Sequence, residues 1–200
     1  MPSKAHYIGI WNWDAVFHAL GFRHRDIDLA REQILTILDG QQPNGMLPDV
    51  VHDDGTVTWI DHPIPGEVTK PPVAAWAAVK LHEDHPDRSF LEEIYPKLKD
   101  WNAWWFTRLD PSTSLPQYTH PYSSGADDNP LWDHGFPVLS PDLMSYLIVQ
   151  MDSLAEIARE LDLASEALEW QSRAEQLTHQ LIEELYDPQQ GIFNARTGGQ

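Results

Sequence analysis

The sequence predicts an all-α chain of about six helices, arranged as part of a toroid of helical hairpins. Three observations predict it. Apolar residues recur at spacings of three and four along most of the chain. Short links join helices in pairs, while long Pro- and Gly-rich loops separate the pairs. The 200 residues are 42 % hydrophobic, which suits one globular domain with a sizeable core. A plain bundle explains the helices but not two long loops rich in Trp, Asp and Pro.

The elements follow in order. Residues 11–20 form a short helix with Trp13, Phe17 and Leu20 on one side. Asp26 or Asp28 caps the next helix, whose apolar positions are Leu29, Ile34, Ile37 and Leu38 and which stops near Gly40. Residues 41–72 read as a long loop, with a small turn or hairpin at Asp53-Asp54-Gly55 between Val51 and Val57. Pro72 opens a third helix through Val73, Trp76, Ala77 and Val79. Ser89 caps a fourth with Phe90 and Ile94; Pro96 interrupts or restarts it, and Leu98, Trp101 and Trp105 continue its stripe. Residues 107–137 have no period and form the second long loop. Ser140-Pro141-Asp142 starts a fifth helix carrying Leu143, Leu147, Met151, Leu154, Ile157 and Leu161. Ser165 begins the sixth, with Leu168, Ala174, Leu177, Leu181 and Leu185, and Asp187-Pro188 ends it. A toroid gathers the two long loops at one end, and long structured loops usually carry function.

Charge narrows the partners. The formal net charge is −18, from 13 basic and 31 acidic residues, and that field repels phosphate backbones and anionic membranes. A neutral sugar is indifferent to it. No apolar run is long enough to span a bilayer. Met1-Pro2-Ser3-Lys4-Ala5-His6 lacks an apolar signal segment, which makes a cytoplasmic location the default expectation. Without cysteine there is neither a disulfide nor a thiolate nucleophile. His-Glu-x-x-His, the twelve-residue calcium pattern and the Gly-rich nucleotide loops are all missing, so no metal and no cofactor is expected.

Two clusters carry chemistry. His120 to Asp133 places three carboxylates, Asp127, Asp128 and Asp133, within seven residues beside Tyr122, Gly125 and Trp132. Trp11-Asn12-Trp13-Asp14-Ala15-Val16-Phe17-His18 is the second. Acid/base chemistry on a sugar needs a carboxyl group beside an aromatic platform. Of nine Trp, the set Trp101, Trp104 and Trp105 stands at helical spacing and reads as packing, whereas Trp11, Trp13 and Trp132 adjoin Asp or Asn and suit a polar pocket. Other readings of the same residues are structural. Asp127-Asp128 is also a turn or cap pattern, Asp133 a loop anchor, and Asp14 and His18 share a helical face as a simple pair.

These segments resemble the (α/α)6-barrel catalytic domain of glycoside hydrolase family 63, the inverting α-glycosidases that include mannosylglycerate and glucosylglycerate hydrolases. Trp13-Asp14-Ala15-Val16-Phe17-His18 is similar to its WDxxFH signature, and Gln42-Pro43-Asn44-Gly45-Met46-Leu47-Pro48 to its NGMLP loop. Tyr95-Pro96-Lys97-Leu98 with Trp104-Trp105 resembles its fourth-helix region, and His120 to Asp133 its acid loop. The resemblance implies that Asp127 is the general acid and that Asp14 binds sugar hydroxyls in the −1 subsite. Trp11, Trp13, Phe17, His18, Gly125 and Trp132 would shape that subsite, and Asn44, Gly45 and Met46 would line its wall. The chain departs from the pattern at Ser123 (usually Glu), Ala126 (Met or Trp), Asp128-Asn129 (Asn-Ser), Asp49 (often His) and Lys70 (often Gln). Lys70 is a candidate for the carboxylate of a glycerate.

The family barrel is about twice this length and takes its general base, a Glu, from the second half. The expectation is therefore the first half of an (α/α)6 barrel. It supplies the acid and part of the −1 subsite for exo-acting hydrolysis of an α-glucoside or an α-mannosyl- or α-glucosylglycerate. Its partner is a small carbohydrate, with self-association or a C-terminal half completing the ring. The alternatives are a trehalase or glucoamylase-like enzyme of the same fold, or a non-catalytic sugar-binding half-barrel.

Overall fold

The computed structural model describes residues 9–57, 59–60 and 65–197. The Met1–His6 start lies outside them. Among the described residues there are six α-helices: α1 (Asn12–Phe22), α2 (Ile27–Asp39), α3 (Ala74–Asp84), α4 (Arg88–Trp105), α5 (Pro141–Glu160) and α6 (Ala164–Leu185). They pair as hairpins. α1, α3 and α5 pack side by side as one layer, and α2 and α4 lie in the other. α6 joins α4 in that second layer: Tyr95 donates its hydroxyl to Glu166 at 2.9 Å, and the Trp170 indole N–H donates to the Tyr95 hydroxyl at 3.0 Å. Burial raises the Tyr95 phenol above its ordinary range, so this hydroxyl stays a donor. The layered hairpins match the expected all-α toroid architecture.

The core lies between the layers. Ala74, Ala75, Ala77 and Ala78 are buried on α3, and their small side chains let α1 and α5 approach it from either side. Leu143, Leu147 and Leu154 of α5, with Ile34 and Leu38 of α2, fill the space around them. Trp101, Trp104 and Trp105 are buried in the same core, as their spacing implied.

Boundaries follow capping chemistry. Asp26 caps α2, accepting from the Leu29 amide at 3.0 Å. α4 is capped by Asp87, which accepts from the Phe90 amide at 3.1 Å; the expected cap, Ser89, donates its hydroxyl to that same carboxylate at 2.7 Å. Pro96 sits inside an unbroken α4. It is exposed, so the Glu92 carbonyl that loses an amide partner is left to water. α3 starts at Ala74, two residues after Pro72, because the Val73 amide turns back onto the Pro71 carbonyl at 3.0 Å.

Short two-residue strands tie the loops. Ile10–Trp11 pairs antiparallel with Val50–Val51, Trp59–Ile60 with Gly66–Glu67, and Val138–Leu139 with Arg196–Thr197. The turn at Asp53-Asp54-Gly55 is present, with the Gly55 amide donating to the His52 carbonyl at 3.0 Å. Of the turn or hairpin expected there, the turn is what forms, since Val51 pairs with Ile10 and not with Val57. The two long loops thus collect at the end where α1, α3 and α5 begin.

Candidate active site

The site is assembled from four chain segments knitted to one another. The Asn12 amide donates to the Asp49 carbonyl at 2.8 Å, and the Asn12 side-chain amide to the Pro48 carbonyl at 3.0 Å. The Asp49 amide donates to the Val68 carbonyl at 2.9 Å, and the Thr69 hydroxyl donates to the Leu47 carbonyl. The start of α1 is thereby fixed against segments 47–51 and 66–70. Segment 66–70 in turn holds the second loop, since the Thr69 amide donates to the Ser123 hydroxyl at 3.4 Å.

That loop has its own scaffold. Pro121–Ser124 is a 3-10 turn whose Tyr122 amide donates to Nδ1 of His120 at 3.2 Å. The Ser124 hydroxyl donates to the Pro121 carbonyl and accepts from the Ala126 amide. Gly125 then turns with φ +74°, and a Cβ there would lie 2.1 Å from Cη2 of Trp13. This contact joins the Trp13-Asp14 motif to the Asp127 motif. Asn129 accepts from the Leu131 amide at 2.9 Å to start the Pro130–His134 turn, and the Trp132 indole N–H donates to the Ala126 carbonyl at 2.7 Å. Trp132 stacks on Phe136, with centroids 5.4 Å apart and planes 24° apart. Below them Tyr118 is fully buried and bridges Val138 through its backbone; burial, then the Asp142 carboxylate, pushes its phenol well up.

Above this scaffold opens a cleft of about 560 Å³, whose wall includes Tyr122, Asp127, Asp128, Trp132, Asp133 and Phe136. Asp127 is half exposed, with Oδ1 3.8 Å from Nζ of Lys70. A carboxyl group can protonate a glycosidic oxygen within its reach, and aromatic side chains on the same cleft wall offer a surface for the apolar face of a sugar. A smaller cavity of about 250 Å³, between Val79, Leu91 and Ile157 and rimmed by Glu83, Glu156 and Glu160, lies among the α3 and α5 C-terminal turns and α4, away from these loops. Among the described residues no group of three His, Asp or Glu side chains is placed to hold a metal ion.

The sequence candidates divide as follows. Asp127 and Trp132 share the cleft, and Gly125 with Trp13 forms its link to α1. Asp14 is partly buried in the first turn of α1, where the helix dipole favours a negative charge. Among the described residues its carboxylate has no hydrogen bond or ion pair, and none joins it to His18, which is exposed. Phe17 is exposed and meets Trp13 edge-on at 6.0 Å. Trp11 serves through its backbone pairing with Val50. Asn44, Gly45 and Met46 are placed differently from the expected wall. The Asn44 carboxamide accepts from the Met46 amide at 3.0 Å, a Cβ on Gly45 would lie 2.6 Å from the Asp100 carbonyl oxygen of α4, and Met46 is wholly in the core. Their contacts fold the loop onto the outer layer. Lys70 is buried, with its ammonium donating to the Tyr122 carbonyl at 2.5 Å. Phe136 was not anticipated; only its nearness in sequence to Trp132 signals it.

Comparison with known proteins agrees with this geometry. The chain is 34 % identical over 150 residues to a mannosylglycerate hydrolase of Thermus thermophilus, a match covering 66 % of this chain and 36 % of that protein. It is 27 % identical over 162 residues to the glucosylglycerate hydrolase of Mycolicibacterium hassiacum, covering 68 % of this chain and 36 % of that one. The chain thus matches only about a third of the length of these curated relatives. In three dimensions it is similar to the crystal structure of a family 63 mannosylglycerate hydrolase from Thermus thermophilus in complex with glucose. The TM-score is 0.80 at 26 % identity, over 98 % of this chain and 61 % of the other. The sequence profile of the mannosylglycerate hydrolase MGH1-like glycoside hydrolase domain matches residues 7–200. Its motifs, its helical layers and this match together place the chain in the MGH1-like mannosylglycerate hydrolase family of glycoside hydrolases.

Proposed function

We propose that the chain contributes the general acid and one wall of the −1 subsite to inverting, exo-acting hydrolysis of an α-mannosyl- or α-glucosylglycerate-like substrate. The carrying observation is the placement of Asp127, a half-exposed carboxyl at a cleft walled by stacked Trp132 and Phe136, in a chain of this family. Asp127 gives its proton to the glycosidic oxygen as the C1–O bond breaks. Water attacks C1 from the opposite face and gives a proton to a second carboxylate, leaving the sugar with inverted configuration. Such carboxyl pairs stand about 6.5–9.5 Å apart. The second carboxylate belongs to polypeptide that completes the ring, a C-terminal half or an associated copy. Asp14, with its unengaged carboxylate, accepts hydrogen bonds from sugar hydroxyls.

The test is Asp127→Asn in the ring-complete protein, which keeps size and removes the proton. General acid catalysis is worth about 10²–10⁴-fold, so turnover of an unactivated α-glycoside falls by at least ~100-fold. The loss is much smaller for an α-glycosyl fluoride, whose leaving group needs no proton, and affinity changes little. Asp14→Asn weakens binding and turnover together. Asp128→Asn, also on the cleft wall, spares the chemistry. Normal turnover by Asp127→Asn with loss in Asp128→Asn moves the acid to Asp128. Glycoside binding measured calorimetrically, without any turnover, returns the protein to the sugar-binding alternative.

A further inference from the structure

Lys70 was a candidate for contact with the substrate, but the structure places it behind the wall. Its side chain is 5 % exposed, while Asp127 beside it is 49 % exposed. A buried ammonium is unfavourable unless its donors are met. One donor goes to the Tyr122 carbonyl, and Oδ1 of Asp127 stands 3.8 Å away. The backbone below is rigid: the flanking Thr69 bonds through its amide to Ser123 and through its hydroxyl to Leu47, and Pro71-Pro72 follow directly. Lys70 therefore reaches from a fixed segment into the loop that carries the acid. It bonds that loop at the Tyr122 carbonyl, before Gly125, and forms a longer ion pair of 3.8 Å with Asp127, after it.

An acid on an exposed loop has a positional problem. Its protonated oxygen must come within about 2.6–3.2 Å of the glycosidic oxygen, and a misplacement of about 1 Å lowers the rate about 10²-fold. The Asp side chain turns about two dihedral angles, and its neighbours Ala126 and Asp128 are, like it, exposed. We propose that Lys70 is the positioning residue for Asp127: anchored on the Tyr122 carbonyl, its ammonium holds one carboxyl oxygen and leaves the other to meet the glycosidic oxygen. This rests on the hydrolase reading above. It differs from a substrate-binding role, in which Lys70 would meet the substrate's own carboxylate.

The test compares Lys70→Met and the milder Lys70→Gln with wild type, each in the ring-complete protein that supplies the second carboxylate, on α-mannosylglycerate and on α-mannosyl fluoride. Positioning predicts that kcat on the glycerate falls by about 10–100-fold with KM within about threefold, while kcat on the fluoride changes less than about threefold. Lys70→Arg, which keeps the charge, restores part of the loss. Equal losses on both substrates overturn the proposal in favour of a purely structural role. A rise confined to KM for the glycerate overturns it in favour of direct substrate binding. A wild-type protein that hydrolyses neither substrate counts against the hydrolase reading. Carboxyl-carbon NMR then still decides the role of Lys70. In Lys70→Gln the Asp127 resonance moves and that of Asp128 does not; an unmoved Asp127 resonance overturns the proposal.

Discussion

At Gly125 the backbone turns left-handed with φ +74° and the Trp13 indole occupies the place of a side chain. Two separate constraints thus select glycine at one position. A non-Gly residue at such a φ costs about 1–3 kcal/mol, and the contact with Trp13 adds displacement of an indole from its packing. Gly125→Ala is expected to lower unfolding free energy by at least about 1 kcal/mol and to red-shift tryptophan emission, as denaturant titration with fluorescence will read. An unchanged midpoint and spectrum would show that Trp13 yields freely and that the two motifs are not coupled. The glycine was visible in the motif, but its contact was not, because Trp13 comes from a distant segment. The Asn44-Gly45-Met46 correction has the same origin. A motif marks residues that act together; it does not say whether they face a ligand or a neighbouring helix.

Among the elements, the helices were legible and their ends less so. Periodicity of three and four is set by burial of one face, a local property, and it located all six. Pro96 read as a break because the rule for proline is local too, yet the exposed side of α4 tolerates it. Asp87 rather than Ser89 caps α4. The Ser89 hydroxyl and then the Phe90 amide hold its carboxyl below the usual carboxylate range. Its contribution is therefore fully present above the unfolded value of about 3.9 and is lost as pH falls through the lower folded value. Asp87→Ala should cost about 0.5–2 kcal/mol at pH 7, and the gap to wild type should close in strong acid; a gap that persists there would assign the loss to something other than the cap. On α5 the sign reverses. Burial, and then Glu175 across on α6, raise the Asp152 carboxyl, with Arg159 opposing. The ionised form is thus unfavourable in the folded state. Asp152→Asn is expected to raise Tm slightly at pH 7, a gain that shrinks as pH falls through the raised folded value and is gone below the unfolded value of about 3.9. Thermal melts across pH check it, and a variant less stable at pH 7 would refute the repulsion.

For the whole molecule, the layers leave apolar side chains open at both edges. Phe17 and Phe22 are exposed on α1, and Val149, Leu168 and Ile182 on α5 and α6. On α6, Leu168, Glu175 and Ile182 recur every seven residues, so they share a face turned from the Trp170 side that meets α4. Exposed patches of this kind favour association, while the net charge of −18 opposes it. Screening decides between them: the Debye length falls from about 10 Å at 0.1 M salt to about 3 Å at 1 M. Sedimentation at micromolar concentration should show self-association that grows with salt. A monodisperse monomer at every salt concentration, unfolding cooperatively, would mean that these edges need no cover. The sequence by itself determined the helical class, the family motifs and Asp127 as the candidate acid, since periodicity, capping and motif residues are written within short stretches of chain. Tertiary structure alone decided that Val51 pairs with Ile10, that Trp13 lies under Gly125 and that Lys70 stands behind Asp127. The bonds that Lys70 and Thr69 make to Tyr122 and Ser123 span 52 and 54 positions of sequence. No local pattern encodes such a meeting; it follows from how the helical layers bring the loop ends together.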